Sequence, residues 1–414
     1  MANLCCTYIV YALWISIMTE ASTNPTTNSS SPNRRGSKVL SIFQIVQFKN
    51  GPCSTTGAQS GTCYTQAECD AREGTAAGTC AGGFGVCCII NLACGGMSSE
   101  NCTYLAQTSS TTGTSTCQYT ICPCDENICR IRFDFVTFNI NGPITASAVA
   151  DLSISAVTDL AGAIGDCTMD TFGITAPGNF APPIICGFNT GQHMIVDADP
   201  DNCNEATFDF SGGGSRNWNI KVTQYACGDE QGGPDGCLQY FTGNNGTVAS
   251  FNFPTQAGIL DTSTTHLSSQ TQTMCWRQEM NTCAICWIPV ILGNDLQTGS
   301  FGLSISAGNA KARGEVDGKC RRDYLLIPDA QSDVDDPERG TFNTFIVGTI
   351  GSMERLSDRL CGRFFTNADN GRVRQGSRSV CSKRICRGLY SFLNKKERIS
   401  VSFFLFGSVF HGLF

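Results

Sequence analysis

The sequence predicts an all-β chain in which two tandem β-sandwiches follow a small disulfide-stabilised knot. Three observations predict it: the apolar residues recur with period two, 26 of the 414 residues are cysteine, and one short cysteine motif returns farther along the chain. Apolar and charged residues alternate in Arg130-Ile131-Arg132-Phe133-Asp134-Phe135. Trp218, Ile220 and Val222 alternate with Asn219, Lys221 and Thr223, and Phe301, Leu303 and Ile305 with Gly and Ser. That spacing puts one face of a strand in a core and the other in water, and clusters of Gly, Asn, Thr and Ser separate the strands as turns do. No long stretch has the 3.6-residue period of a helix.

The cysteines set the compartment. At this density thiols persist as disulfides in an oxidising space, or as metal ligands, and the chain has three histidines with none beside a Cys-x-x-Cys pair. We therefore read a secreted protein. Residues 8–18 are an apolar run too short to span a bilayer, followed by Thr19-Glu20-Ala21. Residues 1–21 are thus read as a signal peptide cut near Ala21. Residues 22–50, polar and interrupted by Pro, read as a disordered linker. Residues 53–88 hold six cysteines in a Gly- and Thr-rich stretch too short for a sizeable core, so disulfides must stabilise it. Spacing alone leaves fifteen connectivities open for six cysteines.

An internal repeat organises the remainder. Cys167-Thr-Met-Asp170-Thr-Phe172-Gly-Ile174 returns as Cys320-Arg-Arg-Asp323-Tyr-Leu325-Leu-Ile327, and each copy precedes a Cys-Gly, at Cys186 and Cys361. Such a period is too long for a solenoid and suits tandem domains. The first copy spans 94–227, a Gly-rich linker 228–236, and the second copy 237–382. Residues 383–414 read as an atypical tail: seven Lys/Arg against one acid follow position 377, then a 16-residue apolar run from Ile399 to Phe414. That run falls short of a membrane span, and no anchor is assigned to it. The second sandwich is expected to lack its last strands and so to be incomplete. The net charge of −7, with 15% charged residues, carries no nucleic-acid footprint.

Catalytic patterns are missing. No segment supplies the nucleophilic Ser loop of a triad, and His193, His266 and His411 read as structural or surface imidazoles. Cys283-Ala-Ile-Cys286 and Cys122-Pro-Cys124 read as structural bridges, and the acidic loop 333–338 lacks the Gly and distal Glu of a calcium-binding EF-hand loop. Asn28, Asn101 and Asn245 lie in glycosylation sequons.

The repeated Cys-x-x-Asp-Tyr-Leu-x-Ile, with its following Cys-Gly, resembles a CUB domain, an extracellular jelly-roll sandwich. The resemblance is closer for the second copy than for the first, where Asp170-Thr-Phe172 replaces Asp-Tyr-Leu. The stretch 183–194 with the Trp218–Tyr225 strand is similar to a group of secreted arthropod CUB proteins, and the six-cysteine unit resembles the clip-like domains found ahead of arthropod serine proteases. These resemblances imply the pairs Cys53–Cys87, Cys63–Cys80 and Cys69–Cys88 in the knot, and Cys167–Cys186, Cys237–Cys275 and Cys320–Cys361 in the sandwiches. Many CUB domains hold Ca²⁺ through a Glu, the motif Asp and a later Asp. In the second copy Glu315 stands eight residues before Asp323 and both match. The first copy has Gly162 at the Glu position and Ser211-Gly-Gly-Gly-Ser215 where the later Asp would fall, so no calcium is expected there.

The resulting expectation is a secreted, non-enzymatic binding protein. Its partner would be an extracellular protein, gripped by a basic side chain at the acidic site, or a glycan, with Ca²⁺ as the candidate cofactor at the second sandwich. Two rival readings are a catalytically inactive cofactor of an extracellular serine-protease cascade and a structural matrix or cuticle protein.

Overall fold

A computed structural model describes residues 47–107 except 56 and 58, 115–145, 165–253 and 267–289 except 281 and 283, together with the backbone of seven later strands. The chain divides into two compact units, Met1–Ile90 and Asn91–Phe414.

In the first unit β1 (Pro52–Ser54), β2 (Ser60–Tyr64), β3 (Thr75–Cys80) and β4 (Gly85–Leu92) form an antiparallel sheet in which β4 pairs with both β2 and β3. One short helix, α1 (Gln66–Ala71), starts at a capping box. Thr65 Oγ1 accepts the Glu68 N–H at 3.2 Å, and Glu68 Oε2 accepts the Thr65 N–H at 2.9 Å. Disulfide Cys53–Cys87 ties β1 to β4, Cys63–Cys80 ties β2 to β3, and Cys69–Cys88 ties α1 to β4. Adjacent Cys87 and Cys88 point to opposite faces of β4, which is how neighbours on one strand reach different partners. Gly74 is required where the chain leaves α1, because a Cβ there would overlap the Cys88 sulfur.

The second unit begins with a sandwich. Its strands are β5 (Met97–Ser98), β6 (Thr103–Ala106), β7 (Thr116–Ile121), β8 (Ile128–Asn139), β9 (Asp170–Ile174), β10 (His193–Asp197), β11 (Asn204–Phe210) and β12 (Asn217–Ala226). One sheet runs β6-β12-β8-β10, the other β5-β7-β11-β9. Burial alternates strictly along β11, and along β12 as far as Tyr225, as the period-two pattern requires. In β8 a bulge shifts the register between Asn219 and Ile220 of its partner, so Phe135 and Phe138, three residues apart, both enter the core. The sheets meet through Phe208, which stacks on Trp218 at 4.4 Å and lies 4.5 Å from Phe172, while Trp218 Nε1 donates to Tyr119 Oη at 3.0 Å. Burial raises the Tyr119 pKa, so the phenol remains a neutral acceptor. Disulfides Cys94–Cys117, Cys122–Cys203, Cys129–Cys227 and Cys167–Cys186 cross-link this sandwich.

The second sandwich comprises β13 (Gln239–Phe241), β14 (Asn245–Ala249), β15 (Gln272–Arg277), β16 (Ala284–Pro289), β17 (Arg313–Glu315), β18 (Tyr324–Leu325), β19 (Gln331–Ser332), β20 (Thr344–Ile346), β21 (Leu360–Arg363), β22 (Arg398–Phe404) and β23 (Val409–Leu413). Its sheets run β13-β15-β22-β18-β20-β17 and β14-β23-β16-β21-β19. The expectation of an incomplete domain ending at 382, with an atypical tail over 383–414, falls on this region. β22 lies between β15 and β18, and β23 between β14 and β16, so the C-terminal run supplies an interior strand to each sheet. The physical reason is visible in Arg398-Ile-Ser-Val-Ser-Phe, where apolar residues alternate with Ser as in a half-buried strand.

The two sandwiches dock closely. Cys237–Cys275 anchors the start of β13 against β15, and Cys237, Tyr240 and Cys275 cluster with Ile195 of β10. Ile195 N–H donates to the Leu238 carbonyl at 2.8 Å, and Phe251 packs 6.4 Å from Phe135. Gly187, at φ 77°, lets Asn252 come so close that a Cβ would collide with its amide; Asn252 Oδ1 accepts the Phe188 N–H at 3.1 Å. The 228–236 connection is packed as well: residues Glu230–Gly232 form a 3₁₀ turn capped by Asp229, and Gly232 is buried.

Candidate functional site

Asp170, the motif carboxylate of the first copy, opens β9 beside the Cys167–Cys186 bridge and is fully buried. It needs partners for its charge, and Arg216 supplies them. The guanidinium makes a bidentate pair, Nε to Oδ2 at 2.7 Å and Nη2 to Oδ1 at 2.8 Å, with neither side chain exposed. Oδ2 also accepts the Asn141 N–H at 2.9 Å. Arg216 in turn donates to the Gly212 carbonyl and lies over the Phe210 ring, 4.3 Å from its centroid. The bond to Asp170 raises the guanidinium's pKa further, so the charge is permanent. A cation thus already occupies the coordination space of the motif Asp, and the residues present do not fit a calcium ion. Sequence reading located the defect, the Ser-Gly stretch 211–215, but missed its remedy. The signal was the single Arg at 216 immediately before an apolar strand.

Beside this pair a trough of about 390 Å³ opens at the loop end of the β7-β11-β9 sheet. The ladders put Thr116 and Thr171 on either side of Asp209. Thr116 Oγ1 donates to Asp209 Oδ1 at 2.8 Å. Thr168, Met169 and Ser211 complete the wall, the Ser211 hydroxyl bonding back to the Thr168 and Met169 carbonyls. Met169 is 44% exposed, an apolar surface beside an accessible carboxylate. The trough therefore offers a negative charge, several hydroxyls and one soft apolar wall to a cationic or polyhydroxyl group.

The residues expected to hold calcium lie in the second sandwich. Glu315 ends β17, whose neighbour β20 also pairs with β18; Asp323, just ahead of β18, lies outside the described residues, as does Cys320. Cys361 is on β21, where its register partner is Cys286 of β16. Among the described residues no three His, Cys, Asp or Glu gather as metal ligands. His193 is buried in β10, His411 is on β23, and His266 lies outside the described residues. Of the sequons, Asn245 is exposed at the start of β14. Asn101 spends its amide on β12: Nδ2 donates to the Gln224 carbonyl at 3.1 Å and Oδ1 accepts the Gln224 N–H at 2.9 Å. Asn28 lies outside the described residues.

Fold and site together define a disulfide-rich all-β chain of packed β-sandwiches. The animal CUB domain family matches residues 234–400, so the chain carries a CUB domain there. Among solved structures, the human MASP-1/3 CUB1-EGF-CUB2 domain is similar at 11% identity, covering 76% of this chain and 99% of that one, with a TM-score of 0.22. The CUB1-EGF-CUB2 domains of rat MASP-1 match at 12% identity over 66% of this chain and 94% of theirs, TM-score 0.21. The extracellular region of zebrafish Gpr126/Adgrg6 matches at 10% identity over 57% of this chain and 23% of its own length, TM-score 0.21. No curated protein matches the chain. Among the described residues no helix is long and apolar enough to cross a membrane.

Proposed function

We propose that the chain is a secreted, non-enzymatic binding protein whose first sandwich recognises a basic side chain of an extracellular protein, or a glycan, without calcium. The observation that carries this reading is Asp209, a carboxylate in a hydroxyl-lined trough whose neighbouring motif acid, Asp170, is already neutralised by Arg216. A carboxylate at the rim of a concave, partly apolar surface is suited to fix the orientation of a cationic group. In the second sandwich Glu315 and Asp323 are proposed as calcium ligands, since hard carboxylate oxygens are what Ca²⁺ selects. The 53–88 unit is proposed as a clip-like module.

The test uses the intact secreted protein against a glycan array and immobilised extracellular proteins. We expect saturable binding that Asp209→Lys reduces at least tenfold, with an unchanged unfolding midpoint. Binding that survives Asp209→Lys removes the first sandwich as the recognition surface.

A further inference from the structure

One neutral imidazole closes the junction between the sandwiches. His193, the first residue of β10, is 4% exposed, and its Nε2 accepts the N–H of Tyr240 at 2.9 Å. An accepting Nε2 carries no proton, so the ring proton is on Nδ1. The ring meets Phe241 edge-on at 5.0 Å, and the His193 carbonyl accepts from Gln239 Nε2 at 3.0 Å. All three residues of β13, the first strand of the second sandwich, are therefore held by residue 193.

The charges around it are already committed. Across the ladder on β8, Asp134 is the register partner of His193, and its carboxylate pairs with Arg132 at 2.8 Å. Arg132 also reaches the Tyr240 carbonyl at 3.4 Å. Farther along β8, Arg130 bonds Asp197 and the Cys237 carbonyl, with Asp235 at 3.9 Å. From β12 comes the Tyr225 phenol, from β13 that of Tyr240, and Arg277 at the end of β15 pairs with Glu279 just past it at 2.7 Å. Burial first, and then the positive charge of Arg132, hold the imidazole's pKa well below its usual value.

We propose that His193 is an acid-sensitive latch between the two sandwiches: a proton on Nε2 removes the acceptor of the Tyr240 N–H, sets a second cation beside Arg132, and frees β13 from β10. The released imidazole titrates at the ordinary value near 6.5 and the docked one below it, so the open state binds more protons as pH falls. Docking is therefore fully favoured above about pH 6.5 and weakens as pH drops toward the docked value, by up to about tenfold per pH unit in that window.

Hydrogen exchange of the Tyr240 amide in the intact protein, corrected for intrinsic rates between pH 7.5 and 5, tests this. Protection is expected to fall below about pH 6 in the wild type while the β8–β10 amides, Phe133 and Met194 among them, stay protected. His193→Gln keeps an acceptor without a titrating group and is expected to hold protection constant. Wild-type protection that ignores pH, or a His193→Gln protein that opens as the wild type does, overturns the latch. Should that variant fail to fold, the ring resonance of His193 in the wild type decides. A titration that coincides with Tyr240 opening supports the proposal, and opening while the ring stays neutral refutes it.

Discussion

Arg216→Met is expected to destabilise the first sandwich by about 3–5 kcal/mol, because it leaves the Asp170 carboxylate buried without its cation. Both side chains of the pair are fully inaccessible, so no water relieves the charge. The Asn141 N–H remains as a partner, but one neutral donor does not replace two charged ones. Asp170→Asn is expected to cost a similar amount by stranding the guanidinium. The double variant Asp170→Asn/Arg216→Met should recover part of the loss, since removing both charges also removes the desolvation penalty. Urea unfolding of the oxidised protein measures all three. A single variant within about 1 kcal/mol of wild type would mean that the pair is solvated and is not the internal cation site described here.

Ending the chain after Lys396 is expected to abolish folding of the second sandwich altogether. β22 pairs with β15 along six residues and with β18 at its far end, and β23 pairs with β14 and β16. Their removal exposes two rows of backbone donors and acceptors on each sheet and opens the space between sheets, the conditions that favour aggregation. Loss of secreted monomer, read by size-exclusion chromatography of the medium, is the expected result. A truncated chain secreted as a monomer with the full-length unfolding midpoint would show that the C-terminal strands contribute nothing.

Much of the fold was legible in the sequence because its causes are local. Period two in Trp218–Tyr225 placed β12, and alternation in Arg130–Phe135 placed β8 up to the bulge, where the pattern breaks for a reason that only pairing with β12 reveals. In the C-terminal run two signatures coexist, length and period: its length suggests a tail, while its alternation matches the strand β22. At the site, the motif spacing located Asp170 and identified the Ser-Gly stretch that lacks the usual acid. It could not show that Arg216 folds back over Phe210 to reach Asp170, since that contact joins residues 46 apart in sequence. The trough around Asp209 was also invisible, because Thr116, Asp209 and Thr171 come from three strands and meet only through the sheet register. His193 was read as a structural or surface imidazole; which elements it joins was not legible, because its contact with β13 links residues 47 apart in sequence.

The central claim is that a resident guanidinium takes the place of a metal ion in the first sandwich. Calcium titrated by calorimetry into the intact Glu315→Gln protein tests it most directly. Removing Glu315 disables the proposed site of the second sandwich, so any site that remains can be assigned by also replacing Asp170. The account predicts no saturable heat at Ca²⁺ concentrations up to about the 10⁻³ M range typical of extracellular modules. A saturable site in that variant that disappears on adding Asp170→Asn would contradict it.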